Sequence, residues 1–235
     1  MQSPFANITP VIKNLIIINI IFFIATYVLA PYFDMVQNLS AFYFNSPLFR
    51  PWQIITYMFM HGGFQHIFFN MFALFMFGPM VEATLSSKRF FNYYFITGIG
   101  ALVLHMFVQA LEIHAITGTF TLTAPAAQES YLRYGEHAQE LYNLYYTPIL
   151  GASGAVFGIL VAFGVLFPNL EMMIMFIPVP IKAKYVVIGY VVIELFSGVG
   201  RFSGDSVAHF AHLGGALFGF ILLKIWRVQK PNNFY

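Results

Sequence analysis

The feature that most restricts this chain is the length of its uncharged intervals. Asn14 to Phe33, Pro51 to Val81, Phe90 to Leu111, Leu141 to Leu170 and Ser206 to Leu223 contain no Asp, Glu, Lys or Arg. Each approaches or exceeds the ~20 residues that cross ~30 Å of hydrocarbon. A further apolar run, Tyr185 to Gly200, is broken only by Glu194. Lipid requires every backbone polar group to be satisfied internally, and the alternation of a membrane barrel is missing, so these runs are predicted to be helices. Charged residues make up 9% of the chain and hydrophobic ones 59%, whereas about a quarter of an ordinary soluble chain is charged. The expectation is an all-α, polytopic membrane protein with six transmembrane helices, roughly 14–33, 61–82, 90–111, 150–167, 184–199 and 207–224.

Charge sets the orientation. With the N-terminus in the cytoplasm, Lys13, Lys88, Arg89, Lys182, Lys184, Lys224, Arg227 and Lys230 fall inside, leaving Arg50, Arg133 and Arg201 outside. This bias predicts both termini on the cytoplasmic side. A net charge of +2, spread along the chain, excludes a nucleic-acid surface. The absence of cysteine excludes disulfides and thiol chemistry. No small-residue cleavage site follows the first run, which is read as a retained anchor helix after a short leader, residues 1–13.

Between the helices three segments stand out. The first, Pro31 to Met60, carries Phe42, Tyr43, Phe44, Phe49 and Trp52 and is expected in the outer interface, with Arg50 and Trp52 as anchors or as part of an aromatic belt. The polar stretch 113–147 is an external insertion, with an interfacial helix bracketed by Pro125 and Pro148; solvation is its simplest reading. The third, Asn169 to Lys184, is too short and too proline-rich to span, and is read as a cytoplasmic loop dipping into the interface.

Chemistry centres on Gly151-Ala-Ser-Gly-Ala-Val-Phe-Gly158. Small residues in a membrane helix ordinarily serve close packing, and Gly154-x-x-x-Gly158 and Gly215-x-x-x-Gly219 give two helices faces that can approach. Ser153 among them is also a candidate nucleophile. His66 and Asn70 lie one turn apart on one face, able to donate toward one point or simply to satisfy each other or a carbonyl. His212 precedes the second glycine face by one turn. Counted from Pro148, His61 and Asp205, the residues Ser153, His66 and His212 each lie about 7–11 Å below the outer end of a helix at 1.5 Å per residue. Three polar groups at one depth are what a buried site needs. His105 is read as a packing or water-facing residue, Glu82 as a tie at the inner end, and Glu194 as close enough to the outer end to reach water. A transporter or channel, suggested by Glu194, His105 and the glycine-rich helices, and a metal site of His61, His66, His209 and His212, are the alternatives.

The chain resembles the rhomboid intramembrane serine proteases of the six-helix prokaryotic type. The matching motifs are Gly151-Ala-Ser-Gly154, Ala211-His-x-x-Gly-x-x-x-Gly219 and His66-x-x-x-Asn70, with Arg50-Pro-Trp52 and Gly78-x-x-x-Glu82 less specific. The resemblance implies a protease core over 14–226 with a cytoplasmic tail at 227–235. It further implies Ser153 as nucleophile, His212 as base without a third acid, and the Ser153 N–H with His66 and Asn70 as oxyanion donors. Gly151, Gly154, Phe157, Gly158, Gly215 and Gly219 would pack around this site. Phe157 stands where many relatives carry tyrosine beneath the histidine, and the 113–147 insertion exceeds that of compact relatives. No cofactor or metal is implied, no oligomer is required, and the partners would be lipid and transmembrane protein substrates in a bacterial inner membrane.

Overall fold

The structure, a computed structural model, describes residues 8–122, 132–174, 177–200 and 208–231. Among the described residues six apolar helices are found: α1 (Pro10–Val28), α2 (Phe64–Leu85), α3 (Ser87–Thr117), α5 (Ser153–Leu166), α6 (Ala183–Gly200) and α7 (His209–Ile225), with a short helix α4 (Ala138–Tyr146) before α5. α1, α2, α3 and α6 are long and apolar enough to cross a membrane. α5 and α7 are shorter, with 14 and 17 residues. At 1.5 Å per residue α5 covers only about 21 Å, less than the ~30 Å of a bilayer's hydrocarbon.

That short helix is the centre of the bundle. Gly154 to Gly164 are buried almost without interruption, as expected of a helix that is apolar on every side. α7 packs most extensively against α5 and α3, while α2 lies on another flank of α5. α1 and α6 are peripheral: Ile17, Ile21, Ile24, Ile188, Ile193 and Phe196 are exposed on them, which suits faces turned to lipid.

Small residues permit the crossings. A Cβ added to Gly215 would lie 1.8 Å from the Gly154 carbonyl oxygen, and one on Gly219 would lie 2.9 Å from the Gly158 Cα. The glycines of α7 therefore admit the backbone of α5. Those of α5 serve α3 instead: added Cβ atoms would meet the Ala101 Cβ at 2.4 Å from Gly154 and the Thr97 side chain at 2.8 Å from Gly158. The expected pairing of two glycine faces is thus a three-helix arrangement. Tyr93 locks it by donating from its hydroxyl to the Gly158 carbonyl at 2.7 Å.

At the other end of the bundle Glu82 is buried and closes the start of α1. Its carboxylate accepts from the backbone N–H of Val11 at 3.2 Å and of Ile12 at 3.1 Å, from the Ser87 hydroxyl at 2.6 Å and from the Thr9 hydroxyl. A carboxylate at a helix N-terminus satisfies otherwise orphaned N–H groups and complements the helix dipole. One turn before it, a Cβ on Gly78 would run into Ile12 at 2.2 Å, so α1 crosses α2 there.

Three loop expectations are revised. Phe42 and Tyr43 are core residues, not interfacial ones, whereas Phe44 and Trp52 are exposed. Asn169 to Lys184 contains an antiparallel hairpin, β1 (Glu171–Ile174) and β2 (Ile177–Lys182), with Glu171 opposite Lys182. Its prolines end a helix but do not prevent a two-stranded ribbon, where every strand is an edge. The insertion is not simply solvated: α3 runs on to Thr117, and Leu141 and Tyr145 of α4 form a buried cluster with Ile113 and Tyr43. Pro125 and Glu129 lie outside the described residues. Burial, and then Tyr145, push the Tyr43 hydroxyl up to about 12, so it stays protonated and donates to the Phe120 carbonyl at 2.8 Å.

Candidate active site

The approach to α5 explains how Ser153 is presented. Ile149 pairs with Ala41 through two backbone hydrogen bonds of 2.9 and 2.7 Å, and the Gly151 N–H donates to the Tyr57 carbonyl at 3.0 Å. The buried Gln53 fixes the loop that supplies Ala41, accepting from the Arg50 N–H at 2.9 Å and donating to the Leu48 carbonyl at 3.1 Å. Trp52 adds a bond from its indole to the Asn38 carbonyl at 2.9 Å. Arg50 itself donates to the Pro47 and Phe49 carbonyls, both at 2.8 Å. This aromatic loop is a scaffold for the serine as well as a surface element.

Gly151 then turns the chain. Its φ of 128° is a conformation side chains rarely adopt, and a Cβ there would lie 2.8 Å from His66 Nε2. Helix α5 begins at Ser153, not several residues earlier as the apolar run suggested. Ser153 is thus the first residue of a short helix and not one partway along a full span.

Ser153 Oγ is 2.8 Å from His212 Nε2. Gly215 lets α7 come close enough for this contact, and Phe157, one turn after the serine, lies flat against the imidazole with centroids 4.3 Å apart and planes 6° apart. The stacking expected of the tyrosine position persists with phenylalanine.

His66 stands over the same turn. Its Nδ1 accepts from the Gly62 N–H at 3.3 Å, which leaves the proton on Nε2, the nitrogen beside Gly151. His61 packs edge-to-face on it at 5.0 Å. Asn70 is buried and donates from Nδ2 to the His66 carbonyl at 2.9 Å. The amide thus satisfies a neighbouring carbonyl while keeping a second N–H, since Nδ2 carries two.

The larger departure is at the far side of His212. Glu194 was expected to reach water from the outer part of α6; instead it is buried against α7. Its Oε2 is 2.6 Å from His209 Nδ1 and 3.0 Å from His212 Nδ1. The His212 contact is close but the ring N–H is not aimed along it, and Nδ1 makes no hydrogen bond. The histidine quartet of His61, His66, His209 and His212 is not assembled: among the described residues, the histidine and acidic donors that converge are those of Glu194, His209 and His212. A signal for this existed in the sequence. A carboxylate in an apolar helix is costly without a partner, and His209 and His212 begin the next helix at the same end of the bundle.

The Rhomboid domain model matches residues 49–228. The chain belongs to the Rhomboid family. It is accordingly an integral membrane protein built as a polytopic helical bundle. It is 29% identical over 177 residues to Rhomboid protein 1, mitochondrial, of Saccharomyces cerevisiae, covering 75% of this chain and 42% of that protein. With Rhomboid-like protein 11, chloroplastic, of Arabidopsis thaliana it shares 26% identity over 208 residues, 86% of this chain and 61% of the relative. A shorter match, 40% over 48 residues, is to the Putative rhomboid protease YdcA of Bacillus subtilis, covering 20% of this chain and 24% of that one. The chain spans about half the length of the first two curated relatives.

Proposed function

We propose that this rhomboid is an intramembrane serine endopeptidase that hydrolyses peptide bonds in or near transmembrane segments of other membrane proteins. The observation that carries the reading is the 2.8 Å contact of Ser153 Oγ with His212 Nε2 at the start of a helix of 14 residues, shorter than the ~20 that cross the hydrocarbon. A hydroxyl and an imidazole at that distance form an activated nucleophile and its base.

In the reaction, His212 Nε2 takes the Ser153 proton as Oγ attacks the scissile carbonyl carbon. The charge that develops on the carbonyl oxygen is met by the Ser153 N–H, the His66 Nε2–H and the Asn70 amide. Collapse breaks the C–N bond, and His212 gives its proton to the leaving amine. Water, deprotonated by His212, then attacks the ester; Ser153 leaves with the proton and the carboxylate product is released. Each oxyanion donor is worth about 3–4 kcal/mol in other hydrolases.

The family suggests substrates with one membrane segment, small residues near the cut and a helix that unwinds readily. Residues 14–226 would form the protease core in a bacterial inner membrane, with both termini cytoplasmic and no oligomer required. Purified protein in liposomes should cleave a transmembrane substrate and be labelled by a fluorophosphonate at Ser153, with activity undiminished by a chelator. Ser153→Ala and His212→Ala should each abolish cleavage and labelling. Labelling of another residue, with full turnover in Ser153→Ala, would sink the assignment.

A further inference from the structure

The geometry points to Glu194 as a positioning residue for His212, converting a two-residue serine site into one with a third, carboxylate member. This inference rests on the serine-protease reading. The buried carboxylate oxygen lies 3.0 Å from Nδ1 of His212, while the opposite ring nitrogen, Nε2, lies 2.8 Å from Ser153. Serine and carboxylate therefore flank the two nitrogens of one ring.

A carboxylate in that place acts in two ways. It favours the tautomer with the proton on Nδ1, which leaves Nε2 free to accept from Ser153, and it stabilises the imidazolium formed when the serine proton is taken. His209 holds the carboxylate through the 2.6 Å contact of its Nδ1 with the same oxygen. Phe157 fixes the plane of the ring from below. A small shift of the carboxylate toward the plane of the ring would make the bond to the His212 N–H linear, and proton transfer from Ser153 supplies the attraction that draws it there, because the ring becomes cationic.

Among the described residues, the other titratable groups that face His212 are histidines: His209 on α7, His66 on α2 and His105 on α3. None of these can supply negative charge. Glu194 is thus the group able to offset the imidazolium, and it stands on α6, a helix most of whose large side chains are exposed. A mere surface carboxylate would have no reason to be buried between two imidazoles.

The test uses the full chain in liposomes, with kcat and KM for a fluorogenic transmembrane substrate measured across pH. Glu194→Gln keeps the shape and removes the charge. It is expected to lower kcat about tenfold or more at little change in KM. With the negative charge beside the imidazole removed, the cationic form loses its counter-charge, so the acidic limb of kcat/KM should move to lower pH. Glu194→Asp should recover part of the rate and return the limb toward its original position. An unmoved limb and unchanged kcat in Glu194→Gln, with wild-type cleavage intact and Ser153→Ala inactive, would overturn the inference while leaving the protease reading. Turnover in Ser153→Ala would overturn the protease reading itself. Nitrogen NMR of the folded wild type, with His212 assigned, gives a test independent of variant folding: the Nδ1–H tautomer is expected for neutral His212, and the Nε2–H tautomer would refute the carboxylate's role.

Discussion

The imidazole of His212 lies parallel to the ring of Phe157, 4.3 Å away and inclined by only 6°. The two residues come from different helices, α7 and α5, so the stack ties the His212 imidazole to the helix that begins with Ser153. An aromatic pair of this kind is worth about 0.5–1.5 kcal/mol beyond its buried area. Phe157→Leu, which keeps apolar volume and loses the flat face, should reduce kcat by about two- to tenfold, since 1.4 kcal/mol is a factor of ten. Phe157→Tyr keeps the face and should stay near the wild-type rate. Steady-state kinetics on both variants decide this, and equal rates for the leucine and wild-type enzymes would remove the stack from the positioning of His212.

Approach of α7 to α5 depends on a missing side chain. A Cβ on Gly215 would fall 1.8 Å from the Gly154 carbonyl oxygen, a backbone atom that cannot rotate aside. Overpacking at a close contact costs about 1–3 kcal/mol, and here it also separates Ser153 from His212. Gly215→Ala should therefore lower both the unfolding temperature in detergent and the turnover rate. Gly189→Ala on α6 is the control, because nothing lies within 4 Å of its added Cβ; it should change neither. Wild-type behaviour of Gly215→Ala would show that the helices can repack without loss.

The bundle and the Ser153–His212 pair were legible because they depend on patterns that run along the chain: uncharged lengths, glycines at four-residue spacing, and polar groups at matching distances from helix ends. The surroundings of Glu194 are not legible in the sequence because its partners are set by how α6 meets α7, where Gly198 admits the side chains of His209 and Phe210. Hydropathy records depth but not rotation about the helix axis. The burial of Phe42 and Tyr43 is hidden for a related reason: an aromatic ring satisfies a headgroup boundary or a protein core equally well, and here the pairing of Ala41 with Ile149 helps to draw the loop inward. The start of α5 was displaced because an apolar run continues through Ile149 and Leu150, although the backbone turns at Gly151.

That turn gives the most local of the expected effects. Gly151 has φ 128°, and a Cβ would lie 2.8 Å from His66 Nε2 and 3.5 Å from Ser153 Oγ. Gly151→Ala therefore introduces backbone strain, of order 1–3 kcal/mol, and pushes at the nitrogen that would donate to the oxyanion. Turnover should fall about tenfold or more. Gly63→Ala, whose added Cβ meets nothing within 4 Å, should retain activity. The two contributions separate in a double-mutant cycle: if displacement of His66 carries part of the loss, Gly151→Ala should cost distinctly less in a His66→Ala background than alone. Full additivity of the two substitutions in kcat would mean that the alanine acts only through the backbone, and that His66 is not held in place by the absence of a side chain at Gly151.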